Sequence, residues 1–402
     1  MSYAFIYSTE TDLSIDNGPG INEREFVDAL IKTYGKQVRC VIPYPKYPEI
    51  YFNENIEYVF PYTSNPLRYM VYLGALFVRI VKLHMDFPCD ALVFRLGIAP
   101  IVPLLLSYLL KKPLFLKTLA GYYAFEKENR DMVRKLSARI TEPLYRAVIQ
   151  RSFTADTVSV SYIEWLNYKF GIDKDRLHYI PNGVNTDFFC PRDKLKSKKD
   201  LGLDCFPWVV GYVGALDSLR HIDDLIRALP LLQPIDQVGL VLVGSGEGEM
   251  SFKELARSMG VESRIVFTGK VPYQDVPSYM NAFNVAVDLS LIPMNMHGAI
   301  YNGSYSQKIP QYLSCGIPVI AWNTPDTLFL KQERIGDLAQ VGDIQSLAGA
   351  IEGQLTRCKL EEDDIQHRAR TYAESHFSIR ILASRRIALW EASLNAIVGI
   401  TE

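Results

Sequence analysis

Residues 208–229 read WVVGYVGALDSLRHIDDLIRAL, in which a strand-length apolar run precedes a glycine-bearing loop and a pattern of helical period. The same order recurs along the second half of the chain. Strands are predicted at residues 208–213, 239–243, 265–268, 285–289 and 318–321, and helices at 223–232, 251–259, 276–282 and 306–314. Strands that alternate with helices are typical of parallel βαβ units, so this half is predicted to form one doubly wound α/β domain.

The first half of the chain contains a separate series of the same kind. Strands are predicted at residues 3–7, 38–42, 91–94, 113–117 and 157–160, and helices at 23–33, 69–83 and 127–151. Pro143 is expected to split the last helix, because a proline removes a backbone donor and clashes with the preceding turn. Between the two series, residues 190–203 are polar and lysine-rich and have no strand pattern. They are therefore predicted to be an interdomain linker.

The composition is that of an ordinary soluble protein, with 48% hydrophobic and 22% charged residues among 402. Lys and Arg total 43 against 45 Asp and Glu, a balance without the strongly basic domain of nucleic-acid-binding proteins, so no nucleic-acid partner is expected. Six scattered cysteines at no metal-ligand spacing indicate a reducing compartment. The longest apolar run, residues 98–110, is shorter than the roughly 20 residues of a membrane span. A cytoplasmic protein is expected.

A candidate functional turn lies just before the predicted linker, where residues 179–189 read YIPNGVNTDFF. Pro181, Asn182 and Gly183 form a tight-turn signature. The simpler interpretation is a turn at the edge of a domain. The alternative is that this turn contacts a ligand, because ligands favour clefts between α/β domains.

Several motifs together resemble the family-4 retaining glycosyltransferases, which have the two-domain GT-B architecture. The motifs are, in chain order, YIPNGVNTDFF, VVGYVGALDSLRHIDDLIRAL, GLVLVGSGEGE, RIVFTGKV, NVAVDLSLIP and SQKIPQYLSCGIPVIAW. The resemblance implies two Rossmann-like domains facing a central cleft. It places an acceptor-side domain at 1–183, a linker at 184–203, a nucleotide-sugar-binding domain at 204–375 and a helix at 376–402 that returns to the first domain.

The activity that the resemblance implies is transfer of a sugar, with retention, from a UDP- or GDP-sugar to a hydroxyl of a glycan or lipid-linked glycan. The expected setting is cell-surface polysaccharide biosynthesis. No metal or other cofactor is implied, because the donor phosphate itself can take the acceptor proton while the enzyme stabilises the departing diphosphate.

The resemblance also assigns the site residues. Arg220 and Lys308 are the expected catalytic cations on the donor diphosphate, with Arg220 in place of the usual lysine and Ala215 in place of the usual arginine. The expected donor-binding residues are Gly18, Gly20, Asn182, Gly183, Gly214, Gly244, Gly246, Lys270, Val271, Gly303, Ser304, Tyr305, Ser306, Gln307 and Gln311. A solvated surface arginine is the plain alternative for Arg220.

The chain departs from the family at a pair of glutamates eight positions apart. Gly303 and Gln311 occupy those positions, so the E-x7-E motif is degenerate. The alternative function is therefore a non-catalytic GT-B-like subunit with a decayed donor site that acts in partner assembly. A dinucleotide site at residues 244–249 is disfavoured, because Glu247 and Glu249 would repel a pyrophosphate.

Two loops are expected to hold phosphate. Residues 303–307 precede the predicted helix at 306–314, whose free backbone N–H groups favour an anion; a plain helix cap is the alternative. Residues 17–25 form a predicted glycine-bearing loop, which in related enzymes closes over the donor phosphates and helps form the acceptor site; an ordinary flexible loop between strand and helix is the alternative. Asn22 or Glu23 is expected to cap the following helix. Further groups expected at the cleft are Arg95, Lys117 and Gly121.

The first domain carries candidate membrane-binding residues. The helical patterns at 69–83 and 127–151 both contain basic residues, and Lys127, Arg130 and Arg134 share one helical face. Together with Lys111 and Lys112 they are predicted to contact an anionic membrane, which would place the protein at the inner face of the cell membrane. An ordinary solvated helix face is the alternative.

Overall fold

The computed structural model describes residues 3–15, 18–47, 53–61, 65–97, 100–117, 132–232, 237–297, 299–303 and 306–401. The chain forms two compact units. Unit 1 comprises Met1–Pro181 and Ile379–Glu402, and unit 2 comprises Asn182–Ser378. The division between them falls inside the predicted Pro181-Asn182-Gly183 turn. Residues 184–203, predicted to be a linker, lie within unit 2.

Unit 1 is built on a seven-stranded sheet. Its strands are β1 (Phe5–Ser8), β2 (Val38–Pro43), β3 (Ile56–Val59), β4 (Ala91–Arg95), β5 (Leu114–Lys117), β6 (Thr154–Thr157) and β7 (Leu177–Tyr179). They lie in the order β3-β2-β1-β4-β5-β6-β7, and every neighbouring pair is parallel. Its first five helices are α1 (Gly18–Tyr34), α2 (Pro66–Asp86), α3 (Ile101–Leu109), α4 (Met132–Arg151) and α5 (Val160–Phe170).

Three expectations for unit 1 are wrong. Residues 18–25 are not a loop, because α1 begins at Gly18 and includes them. The predicted split at Pro143 does not occur, because α4 is continuous through this residue. A proline inside a helix removes one backbone hydrogen-bond donor and leaves the others in place. The strand expected at 157–160 is β6, three residues earlier, and Ser159 instead caps α5 by accepting a hydrogen bond from the Tyr162 N–H at 3.1 Å.

Unit 2 contains a second parallel sheet and a hairpin. Its strands are β8 (Trp208–Val213), β9 (Val238–Val243), β10 (Ile265–Gly269), β11 (Val285–Asp288), β12 (Ile292–Met296), β13 (Ala299–Gly303), β14 (Val319–Trp322) and β15 (Gly336–Ala339). The six-stranded sheet has the order β10-β9-β8-β11-β14-β15, and β12 pairs with β13 antiparallel. The helices are α6 (Lys194–Asp200), α7 (Ile222–Ala228), α8 (Glu249–Ser258), α9 (Val276–Asn281), α10 (Lys308–Ser314), α11 (Phe329–Gln332) and α12 (Ile344–Tyr372).

The central strands of unit 2 are buried on both faces, as parallel sheets covered by helices are. In β8, Val210 and Tyr212 belong to one core cluster, while Val209 belongs to the cluster on the other face. The segment containing α6 packs on this unit through Lys198, whose ammonium donates to Asn284 Oδ1 at 2.8 Å and to two backbone carbonyls. It is therefore part of the folded unit.

The last helix, α13 (Ile379–Thr401), completes unit 1. Trp390 is buried, with its ring centroid 5.8 Å from that of Phe5 and stacked at 6.5 Å on Phe115. The Arg386 guanidinium donates to both carboxylate oxygens of buried Asp156, at 3.1 and 3.3 Å. Each unit is thus a parallel-sheet α/β domain of the Rossmann kind, which confirms the predicted fold class.

Candidate active site

The strand order of unit 2 reverses between β8 and β11, which lie side by side. In open α/β sheets, ligands bind outside the carboxyl ends of the strands at such a point. β8 ends at Val213 and is followed by Gly214, and β11 ends at Asp288 and is followed closely by Ser290. The loops after these two strands therefore line the edge at which a ligand is expected.

Two cations meet at this edge. Arg220 Nη1 donates to Ser290 Oγ at 3.1 Å, and Lys308 Nζ donates to the same oxygen at 3.5 Å. Arg220 lies on the short helical turn after Gly214, and Lys308 is the first residue of α10. The structure thus brings together the two residues that were predicted to be catalytic.

Each cation also has a carboxylate neighbour beyond hydrogen-bond distance. Arg220 Nε lies 3.7 Å from Asp217 Oδ1, and Lys308 Nζ lies 3.8 Å from Asp288 Oδ1. Among the described residues, the buried Arg220 Nε has no hydrogen-bond acceptor. The cations are therefore held in place, while part of their donor capacity stays unused.

Asp288 and Lys308 each shift the pKa of the other. Burial alone would raise the pKa of Asp288, but the Lys308 charge and hydrogen bonds from Ser290 and Ser306 outweigh it and hold the pKa below its ordinary value. Burial lowers the pKa of Lys308, Asp288 opposes that shift, and Arg220 adds to it. Asp288 is therefore ionised at neutral pH, and of the two nearby carboxylates that raise the pKa of Lys308, Asp288 and Asp217, it has the larger effect.

Three predicted donor-site glycines pack the loops of this edge against one another. A Cβ on Gly214, whose φ is +150°, would lie 2.6 Å from Lys308 Cε and 2.8 Å from Tyr212 Oη. A Cβ on Gly244 would lie 2.0 Å from Gly214 O, and one on Gly246 would lie 2.3 Å from Leu216 O. Because Gly214 has no side chain, there is room beside it for the Lys308 side chain. The sequence predicted a different reason for this glycine, the close approach of a ligand to the backbone.

The loop before α10 is only partly described. Ser304 and Tyr305 lie outside the described residues. The helix begins at Lys308, two residues later than predicted, because Ser306 Oγ accepts the Lys308 N–H at 3.1 Å and so caps the turn. Gln307 lies directly before the helix, and no cap hydrogen bond from its side chain is seen.

The remaining predicted residues of unit 2 are dispersed. Gly303 is buried at the end of β13, and Gln311 is half-buried in α10. Lys270 is exposed after β10, whereas Val271 packs against the core. Asn182 and Gly183 are buried at the start of the unit, where the next residue, Val184, donates its N–H to Phe377 O at 2.8 Å.

The predicted site residues of unit 1 lie partly in α1 and the strands, and partly outside the described residues. Gly18 and Gly20 are in the first turn of α1, and Gly121 lies outside the described residues. Glu23 does not cap α1, because it lies within that helix and its buried carboxylate binds side chains of three strands. Its Oε2 accepts Lys117 Nζ at 2.7 Å and Arg95 Nη1 at 3.0 Å, and its Oε1 accepts the Tyr7 hydroxyl.

This network joins the adjacent strands β1, β4 and β5 to α1. Burial alone would raise the pKa of Glu23, but Lys117 and Arg95 outweigh it and bring the pKa to about 2. Burial lowers the pKa of Lys117 to about 8, against the effect of Glu23. Lys117 and Arg95 were expected to be cleft groups; both are bound to one internal carboxylate.

Part of unit 2 matches a known family model. Residues 207–357 match the family model described as Glycosyl transferases group 1. A D-inositol 3-phosphate glycosyltransferase of Corynebacterium glutamicum is 25% identical over 64% of this chain and 62% of its own length. A GDP-mannose-dependent alpha-(1-6)-phosphatidylinositol monomannoside mannosyltransferase of Mycolicibacterium smegmatis is 27% identical over 44% and 46%. The chain thus spans about half the length of the curated relatives it matches.

Solved structures resemble the whole chain. A glycosyltransferase from Rickettsia africae superposes with a TM-score of 0.74 at 14% identity, over 98% of this chain and 99% of its own. Anabaena HepE in complex with UDP gives 0.72 at 18% identity, over 97% and 100%. At such identities the likeness concerns the fold. The chain has the GT-B fold, and its second unit is similar to the Glycosyl transferases group 1 family.

Proposed function

We propose that the protein is a retaining glycosyltransferase that moves a sugar from a UDP- or GDP-sugar to a hydroxyl of a glycan or lipid-linked glycan. The observation that carries this proposal is the meeting of Arg220 and Lys308 on Ser290 at the strand-order reversal of unit 2. Two cations with unused donors suit a diphosphate, since charge-assisted hydrogen bonds to phosphate are among the strongest in proteins. The names of similar proteins, including a GDP-mannose-dependent enzyme and a complex with UDP-glucose, support a nucleotide-sugar donor.

In the proposed reaction, the acceptor hydroxyl oxygen forms a bond to the anomeric carbon on the face from which the diphosphate leaves. The bond from the anomeric carbon to the phosphate oxygen breaks, and the hydroxyl proton passes to a phosphate oxygen. Arg220 and Lys308 stabilise the negative charge that develops on the leaving diphosphate. Because these side chains supply that positive charge, the proposal needs no metal or other cofactor.

Gln311 is proposed to contact the nucleoside ribose through its amide. An amide can hydrogen-bond a diol, but it lacks the charge-assisted acceptor pair of a carboxylate. Each bond to a charged group is worth about 1.5–3 kcal/mol, so this chain is expected to bind its donor more weakly than an enzyme with glutamate there.

A second candidate function is a non-catalytic GT-B-like subunit. The glycine and glutamine at positions 303 and 311 favour it, because the glutamate beside the transferred sugar is absent. The two functions differ in turnover. Incubation with UDP-, GDP- and ADP-sugars and a range of sugar and lipid-linked acceptors, followed by NMR of the product's anomeric proton, should give an α-linked product from an α-linked donor. The absence of both donor binding and product would favour the subunit, whose donor site is decayed.

We also propose that unit 1 contacts an anionic membrane during biosynthesis of a cell-surface polysaccharide. No helix in the described part of the chain has the length and hydropathy of a membrane span. However, α2 carries large apolar side chains on its solvent side as well as its buried side. The exposed stripe comprises Leu67, Met70, Val71, Val78 and Met85, with exposed fractions between 61% and 81%.

The neighbouring helix α3 extends this apolar surface and is followed by basic residues. It exposes Leu105, Tyr108 and Leu109, and Lys111 and Lys112 follow it. Each basic residue near an anionic surface adds about 1 kcal/mol of attraction, which supports reversible contact at the inner face of the cell membrane. The predicted basic face of α4 lies outside the described side chains. Flotation with anionic vesicles tests this contact, and binding that does not depend on anionic lipid would contradict it.

A further inference from the structure

Unit 1 contains a groove that the proposed reaction does not use. It encloses about 530 Å³ between the end of β3 and α2, within the range of roughly 300–1,000 Å³ of small-ligand sites. Its lining includes Tyr44, Tyr58, Phe60, Ala75, Val78, Arg79 and Lys82. β3 is the edge strand of its sheet, two strands from β1, so the groove is separate from the point where the strand order of unit 1 reverses.

The walls of the groove are apolar and aromatic. Ala75, Val78 and Lys82 recur along α2 at the spacing of one helix face. The opposite wall follows β3, where Tyr58 packs edge-to-face on Tyr44 with ring centroids 5.8 Å apart. Phe60 is 58% exposed and Val78 is 64% exposed, although both border a cavity. Large apolar side chains left open in this way mark a surface for an apolar ligand.

The charged groups are confined to the α2 side of the groove. The Arg79 guanidinium forms an ion pair with Glu57. Lys82 is exposed and has no ion-pair partner among the described residues. The groove therefore combines an apolar wall with one uncompensated positive charge, which is complementary to an apolar chain that ends in an anion.

We propose that this groove binds one acyl chain of an anionic membrane phospholipid, with the lipid phosphate on Lys82. This inference rests on the membrane contact proposed above. Val78 belongs both to the groove and to the exposed stripe of α2, so a chain leaving a bilayer beneath the stripe enters the groove directly. A saccharide fits less well, because its hydroxyls need convergent polar groups, and the described side chains that line the groove offer two phenols and the two cations.

The test uses the full chain and a monomeric single-chain lipid, lysophosphatidylglycerol, below its critical micelle concentration. Titration calorimetry should show saturable binding of one lipid per chain. Glycerol phosphate, which has the headgroup without the chain, should not bind, and lysophosphatidylcholine should bind at least about fivefold more weakly. Equal binding of glycerol phosphate, or binding of a soluble oligosaccharide in place of the lipid, would overturn the proposal.

Two variants locate the site. Ala75→Trp fills the groove and should weaken the binding of lysophosphatidylglycerol at least about tenfold, whereas Leu195→Ala, which removes an exposed apolar side chain of unit 2, should leave its binding unchanged. Lys82→Ala should abolish the preference for the anionic headgroup, and Lys82→Arg should keep it. Unchanged binding in Ala75→Trp of native thermal stability would overturn the proposal, and so would unchanged headgroup preference in Lys82→Ala.

Vesicle flotation separates this inference from the proposed membrane contact. If the protein floats with anionic vesicles but shows no saturable lysolipid binding, the groove proposal fails alone. If it neither floats nor binds the lysolipid, both proposals fail. Transfer activity towards a water-soluble acceptor is independent of either result.

Discussion

Arg220 Nη1 and Lys308 Nζ converge on one hydroxyl oxygen, Ser290 Oγ, at 3.1 and 3.5 Å. Arg220 follows β8 and Lys308 begins α10, so their meeting depends on the strand order of the sheet. Asp288, at the end of β11, supplies the buried negative charge that offsets their repulsion. The result is a preorganised pair of donors, the arrangement that stabilises a developing anion most effectively.

Ser290 is a positioning residue for both cations. Ser290→Ala removes the shared acceptor, so kcat/KM for the donor sugar should fall by at least about tenfold, because a hydrogen bond to a charged group is worth about 1.5–3 kcal/mol. Ser290→Thr retains the hydroxyl and is the matched control. Steady-state kinetics check this, and equal effects of the two substitutions would show that the hydroxyl has no such role.

Asp288→Asn should change the pH dependence of catalysis. Asp288 raises the pKa of Lys308, so its removal should lower that pKa further and leave the lysine neutral at a lower pH. Since the leaving diphosphate needs charged Lys308, the alkaline limb of the kcat/KM profile should move to lower pH. An alkaline limb that stays in place would mean that Lys308 does not act as a cation in the reaction.

Gly214→Ala should displace Lys308. The added methyl group would lie 2.6 Å from Lys308 Cε on a backbone with φ of +150°, so we expect at least about a tenfold loss of turnover. Gly260→Ala is the matched control, because Gly260 also has a positive φ, of +68°, but nothing lies within 4 Å of its Cβ position. It should lower the melting temperature and leave turnover unchanged. Similar turnover in the two variants would argue against the role of Gly214.

Glu23 should account for part of the acid sensitivity of unit 1. Its pKa falls from 4.5 to about 2 on folding, which corresponds to about 3 kcal/mol of stability. Because the folded pKa is the lower one, this stability is present above pH 4.5 and is lost as the pH falls towards 2. Glu23→Gln should therefore unfold more easily at pH 7 and show a flatter decline in acid.

Chemical denaturation across that pH window measures the effect. Glu164→Gln is the control, because Glu164 forms an exposed ion pair with Lys174 that should contribute about 1 kcal/mol or less. The expectation fails if Glu23→Gln loses stability with falling pH as steeply as the wild type.

The strands that the sequence predicted well are those whose apolar runs are continuous. Trp208–Val213 forms β8 as predicted, because a strand buried on both faces must be apolar throughout. β6 was misplaced because its residues read TADT, and a charged residue in its middle argues against a buried strand. That charge is compensated by Arg386, which lies 230 positions away in the sequence, so no local pattern could reveal it.

The sequence predicted part of the candidate site, because some of its residues follow a clearly apolar strand or begin a clear helix. The pattern at residues 208–229 placed Gly214 and Arg220 after a strand, and the motif at 306–322 placed Lys308 at a helix start. Ser290 and Asp288 were missed, although the motif NVAVDLSLIP contains both. An aspartate that closes an apolar strand next to the point of strand reversal is the signal that could have found them, but the strand order is known only from the fold.

Arg220 is proposed to bind the donor diphosphate, and calorimetric titration with UDP, GDP and ADP measures that binding. The wild type should bind one of these nucleotides in a single site. Arg220→Ala should weaken that binding and lower turnover by at least about tenfold, whereas Arg227→Ala, on the exposed side of α7, should change neither. Nucleotide binding of equal strength in wild type and Arg220→Ala would contradict the account.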